Sequence, residues 1–203
     1  YIDRWILGKY QEMEEAFIKY LDDYEVGLAL NILEKFFWNF CDNYIEIVKH
    51  RLYRPEEFGD VPRYSGQKTV YTILYKLLQD FSIFFPFITE EIYQELYHKQ
   101  KSIHLTSIEP LTFDFKQEVK NGDIIVDIIS QARGEKTNNN VSLKTPIKNL
   151  DLSLNKDLAF AINSSIKDFK ATLFIENLNI TEVDKDYQVN KIELNLDDIQ
   201  KEI

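Results

Sequence analysis

The segment from residue 30 to residue 53 combines a broad apolar face with two side chains that do not fit it. At the ~100° per residue of an α-helix, the apolar side of this segment holds Leu30, Leu33, Phe37, Cys41, Tyr44 and Val48. Arg51 lies in the middle of this apolar side, whereas Trp38 lies on the polar side. A guanidinium on an apolar face and an indole on a polar face could form a binding surface. Packing against a second layer of the protein would give the same pattern.

The residues that most often carry catalysis or hold metals form no recognisable set. His50, His98 and His104 include no pair with the i, i+4 spacing of a helical zinc site. Glu95 to His98 matches one Glu-x-x-His element of a di-iron bundle, but such a site needs a second copy, so His98 is expected at the surface near a helix end. Cys41 is expected in the core, where burial raises the pKa of a thiol and makes it unreactive. We therefore predict no catalytic residue, metal site or cofactor site in this chain.

The composition is that of a folded protein of one or two domains. The chain has 203 residues, of which 44% are hydrophobic, enough to bury a sizeable core. Its single cysteine excludes an internal disulfide and a cysteine-rich zinc site, and it is compatible with a cytoplasmic location. No apolar run approaches the ~20 residues of a membrane span, so no membrane partner is expected. The first residue is Tyr1 rather than methionine, which suggests an excised fragment or a processed end.

The charge is unevenly distributed. A net charge of −10 argues against nucleic acid, because its binders usually carry a basic surface. Two segments differ from the rest of the chain: residues 47–68 hold five Lys or Arg against three acids, and residues 131–148 hold four against one. An acidic protein could hold a polyanion on such local patches while the remainder repels misplaced strands. Ordinary solvated charge is the alternative.

Helical periodicity dominates the first two thirds of the sequence. Apolar spacing predicts helices over 2–24, 26–53, 67–85 and 89–97, with a loop at 54–66 where Pro and Gly cluster. Thr89 is the predicted N-cap of the fourth helix. These four helices suggest an antiparallel bundle, and a fifth helix is predicted over about 118–133.

Beyond Pro146 the pattern alternates. Strands are predicted over 147–154, 178–183 and 187–196, with a helix over 158–169. The sequence therefore predicts a mainly α protein with a four- or five-helix bundle followed by a small α+β module. The predicted domain limits are 1–112 for the bundle, 113–146 for a connecting helix and cationic loop, and 147–203 for the tail.

Four motifs in register resemble one protein family. They are Asp3 to Leu7, Phe36 to Tyr53, Phe85 to Ile92, and Ser102 to Leu105. Their order and spacing are similar to the helical anticodon-binding domain of the class I valyl-tRNA synthetases. The resemblance covers roughly residues 1–112 and continues more weakly to the Ser142–Pro146 run. The Cys41-Asp42 pair favours the valyl type over the isoleucyl and leucyl types.

This resemblance implies a tRNA-binding C-terminal fragment of valine–tRNA ligase. The family's partners would be the anticodon arm of tRNA and a catalytic domain of the same polypeptide, which uses ATP and Mg. The family's His-x-Gly-His motif is absent, because no two histidines are three positions apart. Its Lys-Met-Ser-Lys-Ser motif is absent, because the only methionine, Met13, lies among glutamates. We therefore expect no cofactor in this fragment and no activity from it alone. The α+β tail stands where many members of the family carry a coiled coil, which puts a coiled-coil role in doubt.

Anticodon recognition requires flat side chains that stack on bases and cations that contact phosphates. The candidates in and after the second helix are Trp38, Lys49, Arg51, Tyr53, Arg54, Arg63 and Lys68. The second cationic segment adds Arg133, Lys136 and Lys144. Trp38 could instead be buried against another helix, and Arg51 could instead lie along apolar surface or cap a helix end. Two rival functions stay open: an isoleucyl-type anticodon-binding domain, and a helical protein-interaction module that binds no RNA.

Overall fold

A computed structural model describes residues 1–97, 101–184 and 187–196 of the chain. Among the described residues, strands occur only beyond residue 146, as predicted. The α-helices are α1 (Ile2–Asp22), α2 (Val26–Asn39), α3 (Glu46–Tyr53), α4 (Pro55–Phe58), α5 (Asp60–Phe81), α6 (Pro86–Tyr97), α7 (Lys116–Asn138), α8 (Lys156–Ser164) and α9 (Ile166–Leu173). The strands are β1 (Ile147–Leu154), β2 (Ile175–Glu182) and β3 (Tyr187–Leu194). A π-helical segment, Phe40–Ile45, joins α2 to α3, and a 3₁₀ turn, Ile103–Leu105, precedes α7.

This architecture confirms the mainly α fold with a small α+β module. No helix in the described ranges is both long and apolar enough to cross a bilayer. His98, which is expected at the surface near a helix end, lies outside the described residues.

The second predicted helix is one helical path with a wider turn in its middle. Leu33, Tyr44 and Val48 of its predicted apolar side are buried, as are Phe36 and Phe40. A π-helix holds more residues per turn than an α-helix, so the segment Phe40–Ile45 shifts which residues face the core. The sequence period alone did not reveal this shift.

The predicted loop at 54–66 is wrong. This stretch forms α4 and the start of α5, and Pro55 and Pro62 both lie in a first helical turn, where a missing N–H breaks no helical hydrogen bond. The chain turns at Gly59, whose φ is 91°. The predicted N-cap at Thr89 is also wrong, because α6 begins at Pro86 and the Thr89 hydroxyl donates to the Phe85 carbonyl at 2.8 Å.

The tail forms a three-stranded sheet in the order β2-β1-β3, with β1 parallel to β2 and antiparallel to β3. Leu150, Leu152 and Leu154 are all buried on β1, which confirms the predicted face of this strand. The predicted tail helix is two helices, α8 and α9, which meet at Ser165.

One hydrophobic core runs through both halves of the molecule. It includes Trp5 and Tyr44 from the helical half and Leu152 and Phe169 from the tail. The domain limits at residues 112 and 146 stay predictions, but the helices and the sheet share this core.

A buried polar network ties α1 to α5. The Tyr10 hydroxyl donates to Asp80 Oδ2 at 2.5 Å, and Lys76 Nζ lies 3.0 Å from Glu14 Oε1. Asp80 is only 1% exposed. Burial raises the pKa of Asp80 to about 7, although the hydrogen bond from Tyr10 opposes this rise. In the unfolded chain the same carboxyl ionises near pH 4.

We therefore expect Asp80 to make the folded state less stable as pH rises from about 4 to 7, because only the folded state retains the proton there. Asp80→Asn keeps an acceptor for Tyr10 and removes the charge. The variant should match the wild type near pH 4.5 and exceed its free energy of unfolding by roughly 2–4 kcal/mol near pH 8. Urea denaturation at both pH values measures this difference. Glu91→Gln, which removes an exposed carboxyl, is the control, and an equal response of both variants would contradict the assignment.

Candidate nucleic-acid interface

A groove between α3, α5 and α6, here called the aromatic groove, brings two of the predicted residues, Tyr53 and Arg63, together. It has a volume of about 440 Å³ and is lined by Leu52, Tyr53, Arg63, Gln67, Val70, Tyr71, Leu74, Leu96 and Tyr97. Tyr53 ends α3 and is 83% exposed. Lys68 Nζ lies 5.9 Å from the centre of the Tyr71 ring, so an ammonium group stands beside this groove.

The aromatic groove combines exposed rings with one buried polar atom that has no hydrogen-bond partner among the described residues. Tyr71 and Tyr97 pack with ring centroids 4.7 Å apart, and the Tyr97 hydroxyl donates to the Tyr71 carbonyl at 3.0 Å. Half of Tyr71 is exposed. Arg63 Nε is buried without a hydrogen-bond partner. Such a surface can take a flat apolar group with polar edges, and Arg63 can donate to that edge.

Trp38, Lys49 and Arg133 are three further predicted residues that do not line the aromatic groove, and they are here called the outer face. Trp38 is 54% exposed and contacts the ring of Phe37 edge-on at 5.3 Å, so the alternative in which another helix buries it is wrong. Lys49 lies one turn before Tyr53, and its Nζ lies 2.5 Å from Glu46 Oε2. Arg133 donates from α7 to the Asp42 carbonyl at 3.5 Å, one turn from Trp38.

Arg51 is buried rather than exposed. It is 6% exposed, and its guanidinium donates to Asp3 of α1 and lies 3.6 Å from Asp168 Oδ2 of α9. The Tyr44 hydroxyl also donates to Asp3, at 2.7 Å. Burial raises the pKa of Asp168 to about 6, and the charge of Arg51 opposes this rise. This burial argues against the predicted RNA contact of Arg51, because its charge pairs with two buried carboxylates.

Lys136 is also a core residue. It is fully buried, and its ammonium donates to the carbonyls of Leu143 at 3.0 Å and Leu173 at 2.8 Å. The Phe174 ring lies 5.6 Å from its Nζ. Burial and the charge of Arg133 lower the pKa of Lys136 to about 8. This burial argues against the predicted tRNA contact of Lys136, since its side chain fastens α7 to the end of α9.

The two other predicted cations are exposed but lie apart from the aromatic groove. Arg54 follows Tyr53, pairs with Glu57 at 3.6 Å and faces a different groove. Lys144 is exposed in the turn before β1. Of the groove residues, Tyr71 and Tyr97 were missed, although Gln67, Tyr71 and Leu74 lie at the helical spacing that would have indicated a common face.

Cys41 is half-buried and packs against the core. Burial raises the pKa of its thiol, and the neighbouring charge of Asp42 adds to the rise. This direction agrees with the expectation of an unreactive thiol.

Comparison with known proteins shows the family of this chain. The model of the family described as the anticodon-binding domain of tRNA ligase matches residues 3–152. The chain belongs to this anticodon-binding family. The match contains the aromatic groove and ends within β1, so most of the tail lies beyond it.

Several similar curated proteins are valine–tRNA ligases. That of Rickettsia felis is 37% identical over 154 residues, which are 74% of this chain and 18% of that protein. That of Rickettsia canadensis is 36% identical over 163 residues, 77% of this chain and 20% of that protein. That of Picrophilus torridus is 33% identical over 186 residues, 90% of this chain and 23% of that protein. The chain spans about a fifth of the length of these relatives, and the predicted resemblance to the valyl type is confirmed.

Proposed function

We propose that this chain is the tRNA-binding C-terminal part of a valine–tRNA ligase and that the aromatic groove contacts the anticodon arm. The observation that carries the proposal is the joint placement of Tyr53 and Arg63 in one groove within an anticodon-binding domain. A base removed from its stack can lie against the exposed tyrosine rings, and Arg63 can donate to its edge. Lys68 stands where a phosphate beside that base can meet it.

The outer face would hold the backbone of the same arm. Trp38, Lys49 and Arg133 supply a ring and two cations there. Because the chain carries a net charge of −10, it can hold a polyanion only on local faces that carry cations, such as these. Binding of the arm would place the acceptor end of the tRNA in a catalytic domain of the same cytoplasmic polypeptide. ATP, Mg and valine would bind in that domain, and the present fragment would be inactive without it.

Tyr53→Ala should weaken binding of transcribed valine tRNA by about 1–3 kcal/mol, or roughly 5- to 150-fold, because a base loses its stacking partner. Fluorescence anisotropy with labelled tRNA measures the change. Tyr64→Ala removes another exposed tyrosine, 69% exposed, that does not line the groove, and it should leave the affinity unchanged.

The salt dependence separates RNA binding from the rival function of a protein-interaction module. Binding through phosphate contacts makes the logarithm of the association constant fall linearly with the logarithm of salt concentration. A wild-type chain that does not bind tRNA even at low salt would overturn the proposal. Equal losses for the Tyr53 and Tyr64 variants would place the contact outside the aromatic groove.

A further inference from the structure

A second groove lies between the end of α3, α4 and α9, and is here called the basic groove. It has a volume of about 370 Å³ and is lined by His50, Arg54, Glu57, Phe58, Lys167, Lys170, Ala171, Phe174 and Ile175. Arg54, Lys167 and Lys170 carry positive charge, and Glu57 is the one carboxylate in this lining. The groove is therefore locally basic in a protein that is acidic overall.

Each of the two lysines is held at the groove by one hydrogen bond to a backbone carbonyl. Lys167 Nζ donates to the Glu57 carbonyl at 2.9 Å, and Lys170 Nζ donates to the Glu176 carbonyl at 3.1 Å. An ammonium group has three N–H donors, so each lysine can still bind an anion. Within the described part of the chain, neither lysine has a carboxylate at ion-pair distance. Their charge is thus available to a ligand.

His50 supplies an unsatisfied polar atom in the same lining. Its Nε2 is buried and has no hydrogen-bond partner among the described residues, while its ring meets that of Phe174 edge-on at 5.8 Å. Burial lowers the pKa of His50, and the charges of Arg54 and Lys49 lower it further. A buried polar atom without a partner is costly, and a ligand oxygen in the groove would satisfy it. A neighbouring anion would also reverse the electrostatic part of the pKa shift.

We propose that the basic groove binds a phosphate group of the tRNA backbone, with Lys167 and Lys170 as its main contacts. This inference rests on the proposed function and extends it to the tail. Phosphate suits the groove because cations and a ring nitrogen converge there with one competing carboxylate. Both lysines lie in α9, beyond the residues matched by the family model. The α+β tail therefore takes part in RNA binding rather than only covering the helices.

The double variant Lys167→Gln with Lys170→Gln tests the basic groove. Glutamine can still donate to the backbone carbonyls, but it removes the charge. We expect the affinity for valine tRNA to fall about tenfold and the slope of log affinity against log salt to shrink by about one to two. The pair Lys167→Arg with Lys170→Arg should retain most of the affinity. Lys156→Gln, an exposed lysine of α8 outside the groove, should change neither quantity appreciably. Melting temperatures of all variants show whether folding is preserved.

A measurement on the unmodified chain completes the test. NMR titration of the His50 ring should show its pKa rising when tRNA is bound, because a phosphate stabilises the imidazolium. If the wild type binds tRNA and responds to Tyr53→Ala, but neither the glutamine variant nor the His50 pKa changes, the proposed function stands and the basic groove is overturned. A response of His50 to inorganic phosphate alone, with unchanged tRNA affinity in the glutamine variant, would also overturn it. If the wild type fails to bind tRNA, both proposals fail.

Discussion

Replacing Arg51 by methionine should lower the free energy of unfolding by about 3–5 kcal/mol, because it leaves two buried carboxylates without their cation. Asp3 and Asp168 both contact the Arg51 guanidinium, and they are only 8% and 6% exposed. Methionine retains much of the apolar stem of arginine, so the loss reports on charge more than on packing. Urea denaturation followed by circular dichroism measures it.

Arg54→Met is the matched control for Arg51. Arg54 lies three residues further along, and its side chain is 53% exposed, with one exposed ion pair to Glu57. Removing such a pair changes stability by about 0–1 kcal/mol. Adding Asp3→Asn and Asp168→Asn to the Arg51→Met variant should recover much of the lost stability, because no buried charge is left unpaired. A small effect of Arg51→Met, or no recovery in the triple variant, would contradict this account.

Arg51 also shows where sequence reasoning ends. Its place on the apolar side of the helix was predictable from periodicity, but its role was not. Both of its carboxylate partners are distant in the sequence, on α1 and α9, and no local spacing connects them to α3. The role of Lys136 was not predictable for the same reason, since one of its carbonyl partners is Leu173 of α9. A cation in a basic segment is either a ligand contact or a core tie, and only tertiary structure distinguishes the two.

Local patterns predicted the elements well where one period extended over many residues. The long helices and the alternating strand β1 follow directly from apolar spacing, as Leu150, Leu152 and Leu154 illustrate. Proline misled the prediction at residues 54–66 because it is compatible with a first helical turn as well as with a loop. The basic groove was missed because Lys167 and Lys170 meet His50 only through tertiary packing.

The contact between α1 and α7 should be the most sensitive to one added methyl group. A Cβ at Gly122 would overlap the indole of Trp5, which is 1% exposed. The indole has little freedom to move, because its Nε1 donates to Asp123 Oδ1 at 2.8 Å. Gly122→Ala should therefore cost about 2–4 kcal/mol, despite the better helix propensity of alanine.

Gly134→Ala on the same helix provides the opposite sign. Outside its own stretch of helix, no atom of the described residues lies within 4 Å of a Cβ built there, so alanine should stabilise the chain by roughly 0.5–1 kcal/mol through helix propensity. In a Trp5→Ala background the ring atoms that this Cβ would overlap are absent, so Gly122→Ala should cost less than in the wild type. Equal effects of the two alanine substitutions, or an unchanged cost in that background, would show that the glycine contact does not fix α7. Since α7 carries Arg133 and, through Lys136, holds the end of α9, losing this contact should disturb the outer face and the basic groove together.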